Sequence, residues 1–344
     1  MPKFVRTQSW NPGEVAGQVA DALGNGVAVV PMLGGLCVLA GERDALGGFG
    51  GPYRLVNGET LGAAIAGMEP SFRERVLKAM AGPLVGRFAS GQPGLALASE
   101  PLAREIVRKS KTEIWFGVPA ERAQPGELAD GLGARASIVV TGGASGPGPT
   151  SVDFSASPAV IDRRGKLAIL DLERELGQPV RMGPGLFFSV LVVCTGNSCR
   201  SPMAQRMLAH MLDGTPVFVS SAGTDAPVGS PATVQAVAVM REVGLDLTRH
   251  RAQQLLPAMV EAADLVLVMD GYHRQRVREL VPDAAGRTRL LLSFAGRDEA
   301  VEDPIGLSIE SYRLTRDAMK PALEQVAVEV RQRAGQKEPP QSTT

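Results

Sequence analysis

Cysteine is scarce, with Cys37, Cys194 and Cys199 the three among 344 residues. An odd, sparse set cannot frame a disulfide-stapled domain, so a reducing cytoplasm is the expected setting. Aromatic residues are few as well, at ten Phe, three Tyr and two Trp, so the cores must be mostly aliphatic. Net charge is absent, because 36 Lys and Arg balance 36 Asp and Glu. Broad docking on nucleic acid needs a basic excess or stripe and is not expected. No apolar run reaches the roughly 20 residues of a membrane-spanning helix. The longest such run, Leu186 to Cys194, is strand-sized and broken by Ser189. The polar stretch Met1 to Asn11 holds no signal-peptide core. No repeat has a solenoid period. The three histidines, His210, His250 and His273, are scattered, so no metal site and no cofactor are expected.

Glycine (40) and proline (25) are plentiful and predict many tight turns. Apolar residues make up 44 % and charged residues 21 %, which suits a globular protein rather than a disordered one. At roughly 150 residues per domain the length predicts two domains. The expected boundaries are 1–185 and 186–335, with a polar, disordered tail over 336–344 containing Pro339-Pro340.

The first half opens on Asn11-Pro12, a cap and first-turn proline, before a helix to Leu23. Val27 to Met32 reads as a buried strand. Gly34-Gly35, Gly47-Gly48 and Gly50-Gly51 break up the stretch after it. Helices are predicted over Thr60 to Met68 and Ser71 to Met80. Strands are predicted over Ala136 to Val140, ending in Thr141-Gly142-Gly143, and over Ala159 to Arg163. Thr150 to Phe154 comes after a loop from Ala144 to Pro149, and a further helix covers Ala168 to Leu176. Without strict alternation, an α+β or mixed-sheet domain is expected.

A joint, Gln178 to Gly185, precedes a sharper pattern. Strands Phe187 to Val193, Val217 to Ser221, Asp264 to Met269 and Leu290 to Phe294 alternate with helices. Those helices cover Pro202 to Leu212, Thr233 to Val243, Leu256 to Ala263, Tyr272 to Leu280 and Ser308 to Gln332. This alternation predicts an α/β, doubly wound parallel sheet, with ligands at the carboxyl ends of its strands. The first of those strands ends at Cys194.

The segment Cys194-Thr195-Gly196-Asn197-Ser198-Cys199-Arg200-Ser201-Pro202 is the chemical centre of the sequence. Backbone N–H groups of the loop and of the helix start after it form an anion-binding nest. Gly196 is expected to supply the unusual backbone geometry of the curl. Arg200 offers a planar fork to two phosphoryl oxygens. The same positive field favours the thiolate of Cys194, and Ser201 can donate to it. A thiolate at the floor of a phosphate cradle suits attack on phosphorus. A lone cysteine at a strand end is ordinarily a small buried hydrophobe. The strand before, the glycine within, and the arginine and helix after set this one apart.

These residues resemble the low-molecular-weight protein phosphatases over about Phe187 to Val330. The resemblance includes Ser220-Ser221-Ala222-Gly223-Thr224, Asp246 to Ala252, Ala263 to Met269, and Asp303-Pro304-Ile305-Gly306 followed by Ser308 to Tyr312. It implies that Cys194 forms a phosphocysteine and that Asp303 is the general acid and then the base. Arg200 and the loop residues Thr195, Gly196, Asn197, Ser198, Cys199 and Ser201 hold the phosphoryl group, with Asn197 bracing the loop by hydrogen bonds. Protein-arginine phosphatases are similar in carrying Thr where this chain has Ser198; tyrosine-directed members place a bulky aliphatic residue there. The expected substrate is a phosphorylated protein, with phosphoarginine preferred over phosphotyrosine. Ile305 stands where both branches place an aromatic, and the loop Thr224 to Pro231 also lacks one. Cys199 packs under the loop or forms a reversible disulfide with Cys194. An arsenate reductase would need further resolving cysteines.

Residues from about Pro2 to Leu176 resemble the threonylcarbamoyl-AMP synthase (YrdC-like) family. The similarity rests on the opening helix and strand to Pro31, on Thr141-Gly142-Gly143 with Gly148 to Asp153, and on Val160 to Gly165. Where that family places polar active residues, this chain has Met32-Leu33-Gly34-Gly35-Leu36-Cys37. The expectation is a retained fold without synthase activity, with Cys37 and Trp115 in the core. A tRNA-modifying synthase and a non-catalytic phospho-binding scaffold are the alternatives to a phosphatase. No heptad or exposed apolar helix sets an oligomeric state.

Overall fold

The computed structural model describes residues 2–6, 11–24, 26–120, 123–141 and 146–334. Gly142, Gly143, Ala144, Ser145 and the predicted tail 336–344 lie outside the described residues. The chain forms two compact units. One is Met1–Leu167 with Leu172–Pro184; the other is Ala168–Asp171 with Gly185–Thr344.

The first unit opens with β1 (Lys3–Arg6), α1 (Pro12–Ala22), β2 (Val27–Met32), β3 (Gly35–Ala40) and β4 (Gly50–Val56). It continues through α2 (Gly58–Ala64), α3 (Pro70–Met80), β5 (Leu84–Arg87), β6 (Leu95–Leu97), α4 (Pro101–Lys109), β7 (Ile114–Val118) and α5 (Pro125–Leu132). Then come β8 (Ala136–Thr141), β9 (Thr150–Asp153), β10 (Val160–Arg163), α6 (Ile169–Leu176), whose Ile169 to Asp171 belong to the second unit, and β11 (Arg181–Met182). The described strands form one mixed sheet in the order β1-β8-β2-β3-β7-β4-β6-β5-β9-β10-β11. Alternation along β2 feeds both faces of this sheet. Ala28, Val30 and Met32 join Val15 and Val19 of α1 and Leu102 and Ile106 of α4 in one core. Val27 and Val29 join Ala129 and Leu132 of α5 in the other.

The glycine pairs at 34–35 and 50–51 do not interrupt structure; they open strands. Leu33 (φ 53°) and Gly34 (φ 79°) make a two-residue left-handed turn. Such a turn matches the twist of a hairpin, and β2 and β3 pair from Met32 with Gly35 to Val27 with Ala40. Leu33 is held in that unfavourable conformation by burial and by its amide, which donates to Glu100 Oε1 at 2.9 Å. Helix α2 starts under the Asn57 cap and ends at Ala64, short of the predicted Met68. Cys37 is fully buried, whereas Trp115 is half-buried beside the Arg43 and Arg54 guanidiniums.

The second unit contains β12 (Phe188–Cys194), α7 (Arg200–Met211), β13 (Val217–Gly223), α8 (Val234–Glu242) and α9 (Pro257–Ala262). Next in the chain are β14 (Leu265–Val268), α10 (Gly271–Leu280), β15 (Thr288–Leu290) and α11 (Ile309–Arg333). All strand pairs in this sheet are parallel, in the order β13-β12-β14-β15. The chain leaves β12 to one side and returns on the other, so a crevice opens past the carboxyl ends of β12 and β14. Val190 to Val193 are buried and anchor the strand that ends at Cys194. Asp264 closes the opposite end, its carboxylate accepting from Ile169 N at 2.8 Å and Ser189 N at 2.9 Å.

The strand predicted over Leu290 to Phe294 is corrected. Only Thr288–Leu290 is strand, and Leu291–Ala295 coils into a 3₁₀ turn. Ser293 Oγ donates to Leu290 O at 2.7 Å, and Gly296 (φ 71°) ends the turn in the left-handed region. A buried leucine run does not distinguish strand from turn by periodicity.

Candidate active site

Cys194 is 1 % exposed and its Sγ lies 2.9 Å from Ser201 Oγ in the first turn of α7. Helix α7 starts at Arg200, two residues before the predicted Pro202, with no side-chain cap from Cys199. Proline is tolerated in a first turn, where no intrahelical N–H bond is lost. Uncapped amides at a helix start suit an anion.

The loop's left-handed residue is not Gly196 but Asn197 (φ 49°), which corrects the role expected of Gly196. A side chain at Gly196 would meet only Ser198 Oγ at 3.3 Å. Asparagine tolerates the left-handed region better than most residues, and here its amide is fully used. Nδ2 donates to Ser201 Oγ at 2.9 Å and to Ser221 Oγ at 3.0 Å. Oδ1 accepts from Gln253 N at 2.9 Å. The Asn197 carbonyl lies 2.7 Å from His250 Nε2. Ser221 in turn donates to Gln205 Oε1 at 2.9 Å. Ser201 Oγ accepts from Asn197 and still has its own hydrogen to donate to a Cys194 thiolate.

The glycine that the loop requires is Gly223, opposite Cys194 in the sheet. A Cβ there would sit 2.3 Å from Thr195 O and 2.9 Å from Asn197 N. Past it, Thr224 N donates to Cys194 O and Asp225 N to Thr195 O, both at 3.0 Å.

Arg200 is buried and its guanidinium gathers the site. Nη1 donates to Val301 O at 3.2 Å and lies 3.7 Å from Asp270 Oδ2. Nη2 pairs with Asp303 Oδ2 and reaches Thr195 Oγ1 at 3.5 Å. Asp303 therefore meets the loop although more than 100 residues separate them. Its Oδ1 accepts from Ile305 N at 3.2 Å and from the Cys199 thiol at 3.7 Å. Burial first, then the neighbouring Cys194 and Asp303, push the Cys199 thiol up to about 12. Both loop cysteines are free thiols.

Four groups at this site escape a reading by motif. His250 and His273, scattered in sequence, converge on the loop. Asp270, at the carboxyl end of β14, caps α10 and lies beside Arg200. Its place after a buried strand at the switch point is the signal that could have found it. Tyr272 is 53 % exposed, its hydroxyl 3.4 Å from Asp225 Oδ2, and supplies the site with an aromatic. Among the described residues no His, Cys, Asp and Glu group is arranged to hold a metal ion.

Residues 189–337 match the family model of low molecular weight phosphotyrosine protein phosphatases. A probable low molecular weight protein-tyrosine-phosphatase, EpsP, of Ralstonia nicotianae is 43 % identical over 138 residues. The alignment covers 40 % of this chain and 88 % of that protein. The chain belongs to the low molecular weight phosphotyrosine protein phosphatase family. A second relative in this family, a protein-arginine-phosphatase of Geobacillus stearothermophilus, is 39 % identical, covering 41 % of this chain and 94 % of its own. The solved YwlE arginine phosphatase of the same organism is 37 % identical over 42 % of this chain and 94 % of its own, with a TM-score of 0.40.

Proposed function

We propose that the second unit is a cysteine-dependent protein phosphatase acting on phosphoarginine or phosphotyrosine. The observation that carries this reading is the meeting of Cys194, Arg200 and Asp303 at one strand end. Cys194 Sγ attacks phosphorus, and the bond from phosphorus to the leaving oxygen or nitrogen breaks. Asp303 gives its proton to that leaving group. Water then attacks phosphorus, Asp303 takes a proton from it, and the P–S bond breaks to release phosphate. Arg200 and the loop amides stabilise the equatorial oxygens throughout. An entering phosphoryl group takes over the Arg200 donor now paired with Asp303 and frees the carboxyl for the leaving group.

A phosphoarginine preference is supported by Ser198, whose small polar side chain leaves room for a guanidinium and can hydrogen-bond it. Exposed Tyr272 supports phosphotyrosine as the second reading, since a ring can stack there. The deciding experiment is phosphate release from proteins carrying each modification, with Cys194→Ser and Asp303→Asn beside the wild type. Cys194→Ser is expected at background, and Asp303→Asn about 10²- to 10⁴-fold slower. Full activity in Cys194→Ser overturns the mechanism; faster phosphotyrosine turnover overturns the arginine preference.

We further propose that the first unit, read as YrdC-like, makes no threonylcarbamoyl-adenylate. Met32, Leu33, Leu36 and Cys37 are buried apolar side chains and cannot bind nucleotide phosphates. Tight ATP binding by the full chain in a calorimetric titration would refute this. The whole chain is read as a cytoplasmic enzyme. Among the described residues no helix is long and apolar enough to cross a membrane.

A further inference from the structure

His273 is fully buried, yet its ring edge faces the phosphate loop. Nε2 lies 3.0 Å from Thr195 Oγ1, and Nδ1 lies 2.8 Å from Asp270 Oδ1. The same Asp270 oxygen accepts from the His273 backbone N at 2.9 Å, which fixes the carboxylate as the cap of α10. Asp270 Oδ2 is 3.7 Å from Arg200 Nη1, and Arg200 Nη2 reaches Thr195 Oγ1 at 3.5 Å. The contacts close a ring: His273, Thr195, Arg200, Asp270 and back to His273.

Simple electrostatics orders the protons in this ring. Nδ1 sits 2.8 Å from the Asp270 carboxylate oxygen without the alignment of a hydrogen bond, and the attraction between that oxygen and an N–H favours the tautomer with the hydrogen on Nδ1. Nε2 is then the acceptor, and the Thr195 hydroxyl donates to it. The Thr195 oxygen keeps its lone pairs toward Arg200. The charged and titratable groups facing His273 are Asp270, Arg200, Asp303 and Asp225, with the Tyr272 ring against its edge. Burial holds the imidazole below its ordinary value and keeps it neutral.

We propose that His273, oriented by Asp270, is a positioning residue for phosphoryl transfer that fixes the Thr195 hydroxyl and, through it and Asp270, the Arg200 fork. The proposal rests on the phosphatase reading and deepens it. His273 itself touches no reacting atom; it acts through Thr195 and Arg200. Misplacing a phosphate-binding fork by an ångström is enough to slow transfer about 10²-fold.

The test uses the full chain with p-nitrophenyl phosphate as the probe. Wild type and Cys194→Ser are measured first, so that a failed phosphatase reading is seen on its own. Then kcat and KM are compared for His273→Gln, Thr195→Val and the double variant, with thermal unfolding of each. In parallel, ¹⁵N imidazole spectra of the wild type identify the His273 tautomer, which three histidines make assignable. The expected result is an Nδ1–H tautomer, roughly 10- to 100-fold losses in kcat for each single variant, and a double variant no worse than the weaker single. An Nε2–H tautomer, wild-type rates in folded variants, or losses that multiply would each overturn the proposal. If His273→Gln does not fold, the tautomer and Thr195→Val decide: both as expected support it, and either one missing overturns it.

Discussion

Asn197 carries two loads that substitution can separate. Its backbone is left-handed, and its side chain ties Ser201, Ser221 and Gln253 N together. Asn197→Ala loses both, at a cost of about 2–4 kcal/mol for the strained backbone and the orphaned polar groups. Asn197→Gly removes the backbone strain but not the orphaned groups, so it should recover about 1–2 kcal/mol of that cost. Thermal unfolding of the two variants checks the order, and equal stability would show that the backbone load is small. Both should lose turnover, because Ser201 no longer has a fixed donor to hold its hydroxyl beside Cys194. The sequence makes Cys194, Arg200 and Ser201 legible because the nucleophile, the cation and the helix start are contiguous. It makes Asp303 legible only by resemblance, since nothing local to an Asp-Pro pair says what it will meet. Asp270, His250 and His273 stay hidden because each is defined by a contact across the fold. The attribution of the curl to Gly196 fails for a related reason. Glycine permits a left-handed residue, but the hydrogen bonds decide which residue becomes one.

At the scale of elements, the parallel sheet of the second unit is readable because its strands are buried on both faces and appear as unbroken aliphatic runs. The error at Leu290 to Phe294 comes from the same signal, since Leu291 and Leu292 are buried as well while the backbone turns. In the first unit β3 and β4 are obscured by glycines, whose turn signal is real but marks strand starts. What fixes the start of β12 is a side chain outside it. Asp264 is fully buried and holds the amides of Ser189 and Ile169. Asp264→Ala strips a hydrogen bond from the buried N–H of Ile169 and another from the part-buried N–H of Ser189, and is expected to cost about 2–3 kcal/mol. Denaturant unfolding monitored by far-ultraviolet circular dichroism measures it. A loss under about 1 kcal/mol would mean that those amides find other partners.

For the whole molecule, the buried titratable groups set a pH window of stability. His250 and His273 are held below their ordinary value of 6.5, in both cases chiefly by burial. A depressed folded value means that the unfolded chain binds protons first. Stability is thus complete above 6.5 and is lost as pH falls from there through the lowered folded values. Cys37 and Cys199 are pushed from 9.0 up to about 12, again chiefly by burial. A raised folded value has the opposite consequence: stability is complete below 9.0 and is lost as pH rises toward 12. Carboxylates held down by their partners, such as Glu242 and Asp246, begin to matter only below their ordinary values of 4.5 and 3.8. The full chain should therefore show a plateau of thermal stability between about pH 6.5 and 9, with His250 and His273 contributing to its upper acidic slope. Each proton taken up contributes at most about 1.4 kcal/mol per pH unit. His250→Gln and His273→Gln are expected to start less stable, because each loses a loop contact, yet to decline less steeply between pH 6.5 and 5. Unfolding midpoints measured across that interval separate the two effects. A slope unchanged by both substitutions would place the acid sensitivity in other groups and leave the two histidines as packing alone.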